Sequence, residues 1–240
     1  MWKWAVVCAL LLAGAAFAQQ GDRQELSSTP IDCPEGRVCW ATDSPVPPLP
    51  TPISPVQRLW NAAHLLYAQH AEDAPGSWHS VCTAVAFASD DHGTYFLTAS
   101  HCLDGGPFGV GTDVSTPPVV PVEVTTANSN RDLGVLYAAA YRPSTVPLGQ
   151  DAEPGDTVAS VSFPGAWRKV YIEGVVSSPA TASDGPLLQL AGMHNGSSGS
   201  AVYCKEQAAL CGIATTLLAD TPFVGFVQIS ELQGLAWQKD

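Results

Sequence analysis

Short apolar stretches, separated by turn residues, recur along the chain from Trp78 onward. They follow one another at intervals of about 8 to 12 residues, which is the spacing of strands in β-sandwiches and β-barrels. The pattern therefore predicts an all-β fold. The predicted strands cover residues 81–88, 94–99, 119–126, 133–138, 157–163, 169–177, 187–191, 201–204, 210–218 and 223–229.

The composition agrees with this prediction and excludes other classes. Of the 240 residues, 46% are hydrophobic and only 13% are charged, whereas disordered chains and coiled coils need more charge. The 21 glycines and 20 prolines favour many turns over long helices. The formal net charge of −12 at pH 7 argues against a nucleic-acid partner, because phosphates repel a polyanion.

Two helices are predicted beside the strands. Ser54 and Pro55 form a helix start signal, with a capping residue followed by proline. Apolar residues then recur at steps of three and four, which predicts an amphipathic helix over residues 55–70 that packs against the strands. A short C-terminal helix is predicted over residues 231–237.

The N-terminus has the pattern of a secretory signal peptide. An uncharged apolar run from Ala5 to Ala18 ends in Ala16-Phe17-Ala18, an A-x-A cleavage pattern. The run is shorter than the roughly 20 residues of a membrane span, which disfavours the alternative of an uncleaved anchor. The sequence thus predicts a signal peptide over residues 1–18 and a secreted or periplasmic protein without a membrane span after cleavage.

A proline-rich segment precedes the predicted strands. Residues 44–55 contain six prolines, which exclude a helix or the interior of a sheet and favour an extended linker. We interpret residues 19–53 as a propeptide or a tether, and residues 54–240 as the folded domain.

The cysteines indicate disulfides. Cleavage after Ala18 removes Cys8 and leaves six of the seven cysteines, and an even number in an exported chain indicates disulfide bonds. The sequence alone leaves several pairings open. Zinc is disfavoured because the chain has no C-x-x-C pair, and His101 is the only ligand-type histidine beside a cysteine.

Three residues in separate segments have the chemistry of a nucleophilic hydrolase. His101 directly follows an apolar strand, so it can serve as a rigidly held general base. Asp132 opens the apolar strand that starts at Leu133, and a buried carboxylate needs a partner such as the ring N–H of His101. Ser198 lies in the run Gly196-Ser197-Ser198-Gly199, where a tight turn can aim the N–H groups of Gly196 and Ser198 at an oxyanion.

Each of these residues also has a plain structural interpretation. Gly and Ser dominate turns generally, so the segment around Ser198 can be a simple flexible turn. His101 can be a core or surface histidine. Asp132 can be a turn residue after Asn128-Ser129-Asn130-Arg131.

Taken together, the order His, Asp, Ser on an all-β pattern resembles the chymotrypsin-like (trypsin-fold) serine proteases. Thr98-Ala99-Ser100-His101-Cys102 is similar to the family's Thr-Ala-Ala-His-Cys motif, and Gly196-Ser197-Ser198-Gly199-Ser200 is similar to Gly-x-Ser-Gly-Gly. The resemblance covers about residues 78 to 232. It implies two six-stranded antiparallel β-barrels, with His101 and Asp132 on the first and Ser198 on the second. It also implies an oxyanion hole formed by Gly196 and Ser198.

The resemblance further implies a disulfide and a branch of the family. Animal members pair the cysteine after the histidine with an upstream strand cysteine, which suggests Cys82–Cys102. They also carry Asp before the nucleophile, where this chain has Ser197. The motif is therefore closer to the bacterial glutamyl-endopeptidase and stress-protease branches. The remaining predicted disulfides are Cys204–Cys211, across a predicted hairpin turn, and Cys33–Cys39, which closes a small loop.

By resemblance, a substrate pocket is implied between three segments. Its predicted residues are Met193, His194, Asn195, Ala214, Thr215, Thr216, Leu217 and Gly225, and the third wall extends over residues 224–226. None of these residues is an acid or a permanent cation, and burial of an unpaired substrate charge is unfavourable. We therefore predict small or apolar side chains on the acyl side of the cut. The glutamyl enzymes carry Thr and His where this chain has Met193 and Ala214.

The sequence thus predicts a secreted, monomeric serine endopeptidase that acts on proteins or peptides and requires no metal or organic cofactor. An alternative is an inactive protease homologue that serves as a secreted protein-binding module. A third interpretation is a structural or adhesive β-domain on a proline-rich stalk.

Overall fold

The computed structural model describes residues 31–32, 38–39, 52–70, 77–112, 119–166, 168–178, 186–190, 192–218, 221–235 and 237. The chain divides into two compact units, Met1–Thr51 and Pro52–Asp240. In the first unit, β1 (Ile31–Asp32) pairs with β2 (Val38–Cys39) in antiparallel fashion. The predicted signal peptide and the predicted Cys33–Cys39 disulfide lie outside the described residues, as does most of the proline-rich segment.

The second unit begins with a helix that is shorter than predicted. Helix α1 covers Pro55–Ala62, and the Ser54 side chain caps it by accepting the N–H of Gln57. The prediction of a helix to residue 70 is wrong beyond this point, because the next segment is strand β3 (Ala63–Ala68). All six residues of β3 are buried and the strand pairs on both sides, so its apolar residues reflect complete burial and not a helical face.

Twelve strands form two closed six-stranded antiparallel barrels, as predicted. The first barrel has the order β3-β4-β5-β8-β7-β6 and the second β10-β11-β14-β13-β12-β9. The first consists of β3, β4 (His79–Ser89), β5 (Gly93–Thr98), β6 (Phe108–Gly111), β7 (Val120–Asn128) and β8 (Leu133–Ala139). The second consists of β9 (Thr157–Ser162), β10 (Val170–Ser178), β11 (Leu187–Gln189), β12 (Ala201–Cys204), β13 (Ala209–Leu217) and β14 (Phe223–Gln228). The sequence pattern missed β3 and the short β6.

Hydrogen bonds from Lys169 connect helix α1 to the second barrel. Lys169, which directly precedes β10, donates from Nζ to the carbonyl oxygens of Trp60 and Ala63 at 2.9 and 2.7 Å. These carbonyls lie at the C-terminal end of α1, where a cation is favourable. Burial lowers the pKa of Lys169 to about 8. Within the described residues, no helix has the length and apolar character needed to cross a membrane.

The C-terminal segment forms a 3-10 helix over Ile229–Gly234 in place of the predicted helix over residues 231–237. Ile229 and Leu232 are both buried, and their three-residue separation matches the repeat of a 3-10 helix. The chain then returns to the first barrel, where the Trp237 ring packs 4.9 Å from that of Phe87. This segment therefore links the end of the second barrel to the first.

Two of the predicted disulfides are present. Cys82 in β4 is bonded to Cys102, and Cys204 in β12 is bonded to Cys211 in β13. The first joins a barrel strand to the 3-10 helix Ser100–Leu103, which follows β5. It therefore restrains the segment that contains His101.

Candidate active site

His101 and Asp132 are brought together by two paired strands. His101 lies in the 3-10 helix just after β5, and Asp132 lies in the turn just before β8. These strands are neighbours, with Thr98 opposite Gly134. The Nδ1 atom of His101 is 2.8 Å from Oδ2 of Asp132 and 3.1 Å from Oδ1.

The carboxylate of Asp132 is held from three directions. Its Oδ1 atom accepts the backbone N–H of His101 at 3.0 Å and the hydroxyl of Ser100 at 3.1 Å, in addition to the ring contact. Asp132 has φ of 48°, in the left-handed region that Asp tolerates better than most residues. An ionised carboxylate at Nδ1 requires a proton on that nitrogen, which leaves Nε2 as the basic atom of His101.

The pairing shifts both pKa values. The hydrogen bond with Asp132 raises the pKa of His101 above its ordinary 6.5, although partial burial opposes the shift. Partial burial favours the neutral form of Asp132, but hydrogen bonds from the ring and backbone of His101 outweigh it and hold the pKa of this carboxyl below 3.8. Near neutral pH, the carboxylate of Asp132 is therefore ionised, and the imidazole of His101 beside it is neutral or charged.

The turn before Asp132 is braced by the C-terminal 3-10 helix. Arg131 Nε lies 3.0 Å from a carboxylate oxygen of Glu231, and Nη1 donates to the Glu231 carbonyl at 2.8 Å. One guanidinium therefore binds both the side chain and the backbone of Glu231, in the 3-10 helix that follows the second barrel. The contact fixes the neighbour of Asp132 to a segment outside the first barrel.

Ser198 lies in a tight loop that packs against the His101 side of the first barrel. Gly199 adopts φ of +83°, and a Cβ atom there would collide with the carbonyl of Thr83 and the hydroxyl of Thr98. It would also lie 3.1 Å from the backbone nitrogen of Ala99, two residues before His101. Only glycine satisfies both the backbone angle and this close approach.

The hydrogen bonds of the loop backbone leave two of its N–H groups without an acceptor among the described residues. The N–H groups of Ser197, Gly199 and Ser200 donate to the carbonyls of His194, Ala214 and Ser197. Within the part of the chain that the structure describes, the N–H groups of Gly196 and Ser198 have no acceptor. Two such donors in one tight turn form the type of site that stabilises an oxyanion.

The hydroxyl of Ser198 is bound to a backbone carbonyl. Among the described residues it donates to the carbonyl oxygen of Thr215 at 3.1 Å and forms no hydrogen bond with His101. This hydrogen bond must be released before the hydroxyl can donate to another acceptor. Contacts between catalytic groups in unliganded enzymes are often loose in this way.

The sequence of the folded region matches a known family. Residues 82–213, more than half of the chain, match the Trypsin-like peptidase domain. The chain belongs to the trypsin-like peptidase family. Its family and its two-barrel fold are those of serine endopeptidases.

Solved structures similar to this trypsin-like peptidase include the serine endoprotease from Yersinia pestis. The two are 22% identical with a TM-score of 0.59, over 77% of this chain and 65% of that chain. The HtrA-type protease AlgW, solved with a decapeptide, is 20% identical with a TM-score of 0.59, over 74% and 63%. At these identities the likeness shows the fold, and the chain spans less than two thirds of either protein. No curated protein sequence matches it.

A small pocket opens beside Ser198 in this trypsin-like peptidase. It holds about 160 Å³ of empty space, part of which is open to solvent. Its lining consists of Met193, Ser197, Ser198, Ala214, Thr215, Thr216, Leu217 and Val224. Of the other three residues predicted for the pocket, His194 borders a separate groove and Asn195 is an exposed loop residue. Gly225 lies in β14 opposite Thr216, next to the pocket.

Two residues that contact the site, Ser100 and Thr83, were not predicted from the sequence. Ser100 binds the carboxylate of Asp132, and its position directly before His101 was the one available signal. Thr83 donates its backbone N–H to the Ser198 carbonyl and its hydroxyl to the Gly196 carbonyl. No sequence pattern marked Thr83, because these partners are more than 100 residues away along the chain.

Potential metal ligands meet at one place near His101. The sulfurs of Cys82 and Cys102 and a ring nitrogen of His101 lie within 4.8 Å of one another. Both sulfurs belong to a disulfide, and metals bind the thiolate form of cysteine. The cysteines therefore serve here to hold the segment of His101.

Proposed function

We propose that this chain is an exported serine endopeptidase that uses Ser198, His101 and Asp132 to hydrolyse peptide bonds. The supporting observation is the contact of 2.8 Å between His101 and Asp132, next to a loop in which the N–H groups of Gly196 and Ser198 have no acceptor among the described residues. Membership of a peptidase family supports the same reaction class.

In the proposed reaction, Ser198 Oγ attacks the carbonyl carbon of the substrate while Nε2 of His101 accepts its proton. Asp132 keeps the proton on Nδ1 and stabilises the imidazolium that forms. The N–H groups of Gly196 and Ser198 bind the oxyanion of the tetrahedral intermediate. His101 then donates its proton to the leaving amine, and water hydrolyses the acyl-enzyme by the same steps.

The contact between Ser198 and Thr215 defines the first event of this cycle. The hydroxyl must leave the Thr215 carbonyl and rotate toward His101 before attack. A peptide that binds in extended form donates backbone N–H groups to carbonyls of the protein, as an added strand does. We propose that the substrate backbone replaces Ser198 at Thr215 and so couples binding to this rotation.

We propose that the pocket beside Ser198 selects small or apolar side chains. Met193, Leu217 and Val224 supply apolar atoms, and the empty space of about 160 Å³ is narrow. None of the described residues that line it is acidic or permanently cationic, so a buried Arg, Lys or Glu of the substrate would lack a counter-charge from them.

Labelling with a fluorophosphonate probe tests the proposal, because the reaction requires an activated serine hydroxyl. The full chain should be labelled once, at Ser198, and Ser198→Ala should abolish the label. The orientation of Ser198 toward Thr215 also suits an inactive protein-binding homologue, which would remain unlabelled. Digestion of a denatured proteome, followed by mass spectrometry of the new peptide ends, gives the cut-site preference.

Export and subunit state need separate measurements. We propose that residues 1–18 direct secretion and are removed after Ala18, and that the mature protein is a monomer. N-terminal sequencing of the secreted protein checks the first proposal, and sedimentation equilibrium checks the second.

A further inference from the structure

We infer that Thr83 is a positioning residue for the oxyanion site, an inference that rests on the proposed function. Thr83 lies in β4 of the first barrel and is fully buried. Its backbone N–H donates to the carbonyl of Ser198 at 2.8 Å, and its hydroxyl donates to the carbonyl of Gly196 at 2.9 Å. These carbonyls belong to the two residues whose N–H groups face no acceptor among the described residues.

The Thr83 hydroxyl also connects to the other side of Gly196. The hydroxyl oxygen accepts the backbone N–H of Phe163 at 3.2 Å. Gly165 lies two residues after Phe163 in the same segment. The N–H of Gly165 donates to the carbonyl of Asn195. The carbonyls on both sides of the Gly196 Cα atom are therefore held by one connected set of hydrogen bonds.

This arrangement determines the direction of the Gly196 N–H group. In a trans peptide the N–H points opposite to the C=O of the same unit, so fixing the Asn195 carbonyl directs the Gly196 N–H to the other side. Gly196 has φ of +91°, and glycine populates positive and negative φ about equally. Glycine therefore does not fix the backbone orientation at residue 196 by itself. The hydrogen bonds to the carbonyls of Asn195 and Gly196 must do so.

Loss of the Thr83 hydroxyl would leave two polar groups unpaired. A hydroxyl can donate one hydrogen bond and accept others, and here it does both, toward Gly196 and Phe163. The Gly196 carbonyl can recover a partner only if its peptide rotates, because an unpaired polar group inside the protein is unfavourable. That peptide unit carries the Ser197 N–H, and its rotation changes the backbone angles of Gly196. The preceding unit, which carries the Gly196 N–H that would bind the oxyanion, is displaced as a result. The hydroxyl thus affects catalysis through loop orientation, without contact to substrate.

Two pairs of variants isolate the hydroxyl. Wild type and Thr83→Val have nearly the same shape and differ by the hydroxyl, and Thr83→Ser and Thr83→Ala differ in the same way at a smaller side chain. The second pair remains informative if Thr83→Val does not fold. Thr94→Val is the matched control, because Thr94 is also fully buried in the first barrel and its hydroxyl donates to a backbone carbonyl, that of Tyr141, at 2.7 Å.

We expect Thr83→Val to lower kcat by roughly 10- to 100-fold on a peptide anilide, less than removal of a direct oxyanion donor. KM should stay within about threefold, since the loss concerns the transition state. Affinity for a peptide boronic acid, which places an oxygen at the oxyanion site, should fall with kcat. Thr83→Ser should retain activity and Thr83→Ala should not, whereas Thr94→Val should change the unfolding temperature and leave kcat unchanged.

The amide resonance of Gly196 in ¹⁵N-labelled protein gives a readout that does not require turnover. It should shift between Thr83→Ser and Thr83→Ala and remain in place in Thr94→Val. Equal kcat or equal Gly196 resonances for Thr83→Ser and Thr83→Ala would overturn the inference. A wild-type protein that neither hydrolyses the anilide nor reacts with fluorophosphonate would overturn the proposed function instead, and the Gly196 resonance would still decide the role of Thr83.

Discussion

The imidazole Nδ1 atom of His101 lies 2.8 Å from Oδ2 of Asp132, and the same carboxylate accepts the backbone N–H of His101 at 3.0 Å. The side chain and the main chain of one residue are thus both bound to one acid. This double contact fixes the ring orientation as well as its tautomer. It leaves Nε2 as the basic nitrogen of the ring.

Ser198→Ala and His101→Ala should each lower kcat by roughly 10⁴- to 10⁶-fold, and the double variant should be little worse than either one, because the residues act as a unit. Asp132→Asn should lower kcat by about 10⁴-fold, since the amide favours the wrong imidazole tautomer. Steady-state hydrolysis of a peptide anilide measures these losses. His92→Ala, an exposed histidine in a turn, should retain full activity. Losses that multiply in the double variant would argue against joint action.

Activity should fall on the acid side as His101 becomes protonated. Because the Asp132 hydrogen bond raises the pKa of His101, the midpoint of the acid limb of kcat/KM should lie above 6.5. Asp132→Asn should move this midpoint to lower pH, because it removes the main cause of the raised pKa. A pH series of initial rates for both proteins provides the measurement. A wild-type rate that is flat from neutral pH to pH 4 would contradict the role of His101 as base.

The His101–Asp132 pair should also contribute to the free energy of unfolding. As pH rises through the pKa of His101, this contribution should decrease while activity increases. The raised pKa of His101 stabilises the fold fully below pH 6.5, and this contribution is lost as pH rises through the folded-state value. The lowered pKa of Asp132 contributes above pH 3.8 and is lost as pH falls through its folded-state value. Urea unfolding should therefore show the largest difference between wild type and Asp132→Asn at pH 4 to 6. A difference that grows above pH 7 would contradict this coupling.

Substrates with alanine or valine before the cut should be preferred over those with phenylalanine. The side chain of Leu217 narrows the pocket, and Leu217→Gly should raise kcat/KM for the phenylalanine substrate by about tenfold or more, about 1.4 kcal/mol of transition-state binding. The alanine substrate should gain nothing and serves as the internal control. Preference for Arg or Glu in the proteome digest would contradict an uncharged, narrow pocket.

The two disulfides should differ in their effect on stability. Cys82 and Cys102 are separated by 20 residues, and closing such a loop stabilises by roughly 3 kcal/mol, whereas the shorter separation of 7 between Cys204 and Cys211 gives less. Double alanine variants of each pair, compared by urea unfolding, measure the difference. The Cys82–Cys102 pair should also reduce kcat, because it restrains the segment of His101. Peptide mapping without reductant that joins Cys82 to another cysteine would contradict the assignment.

Activity should not depend on one particular N-terminus. Ser197, at the position before the nucleophile, is only 2% exposed, and its hydroxyl contacts Ser162 Oγ at 3.4 Å and the His194 N–H at 3.3 Å. A neutral residue offers no counter-charge to a buried terminal ammonium. Forms that start at Gln19, Ser44 or Ser54 should therefore have rates within about tenfold of one another. A thousandfold gain confined to one of them would contradict the prediction.

Much of the architecture could be predicted from local pattern. Ten of the twelve barrel strands fall on the apolar stretches recognised in the sequence. A strand in the wall of a barrel needs a continuous or alternating run of apolar residues, because at least one of its faces is buried. The two missed strands had misleading local signals. β3 continues directly from α1 in a run that fits helical spacing, and β6 contains two glycines in four residues.

Candidate chemistry was also visible in the sequence, since His101, Asp132 and Ser198 each sit next to a strand or in a glycine turn. The candidate reactive groups and the elements that contain them could therefore be predicted from the sequence. The contacts of Ser100 with Asp132, of Thr83 with the Ser198 loop, and of the Ser198 hydroxyl with Thr215 could not. A hydrogen bond requires particular distances and angles between atoms, and these depend on how two closed barrels pack.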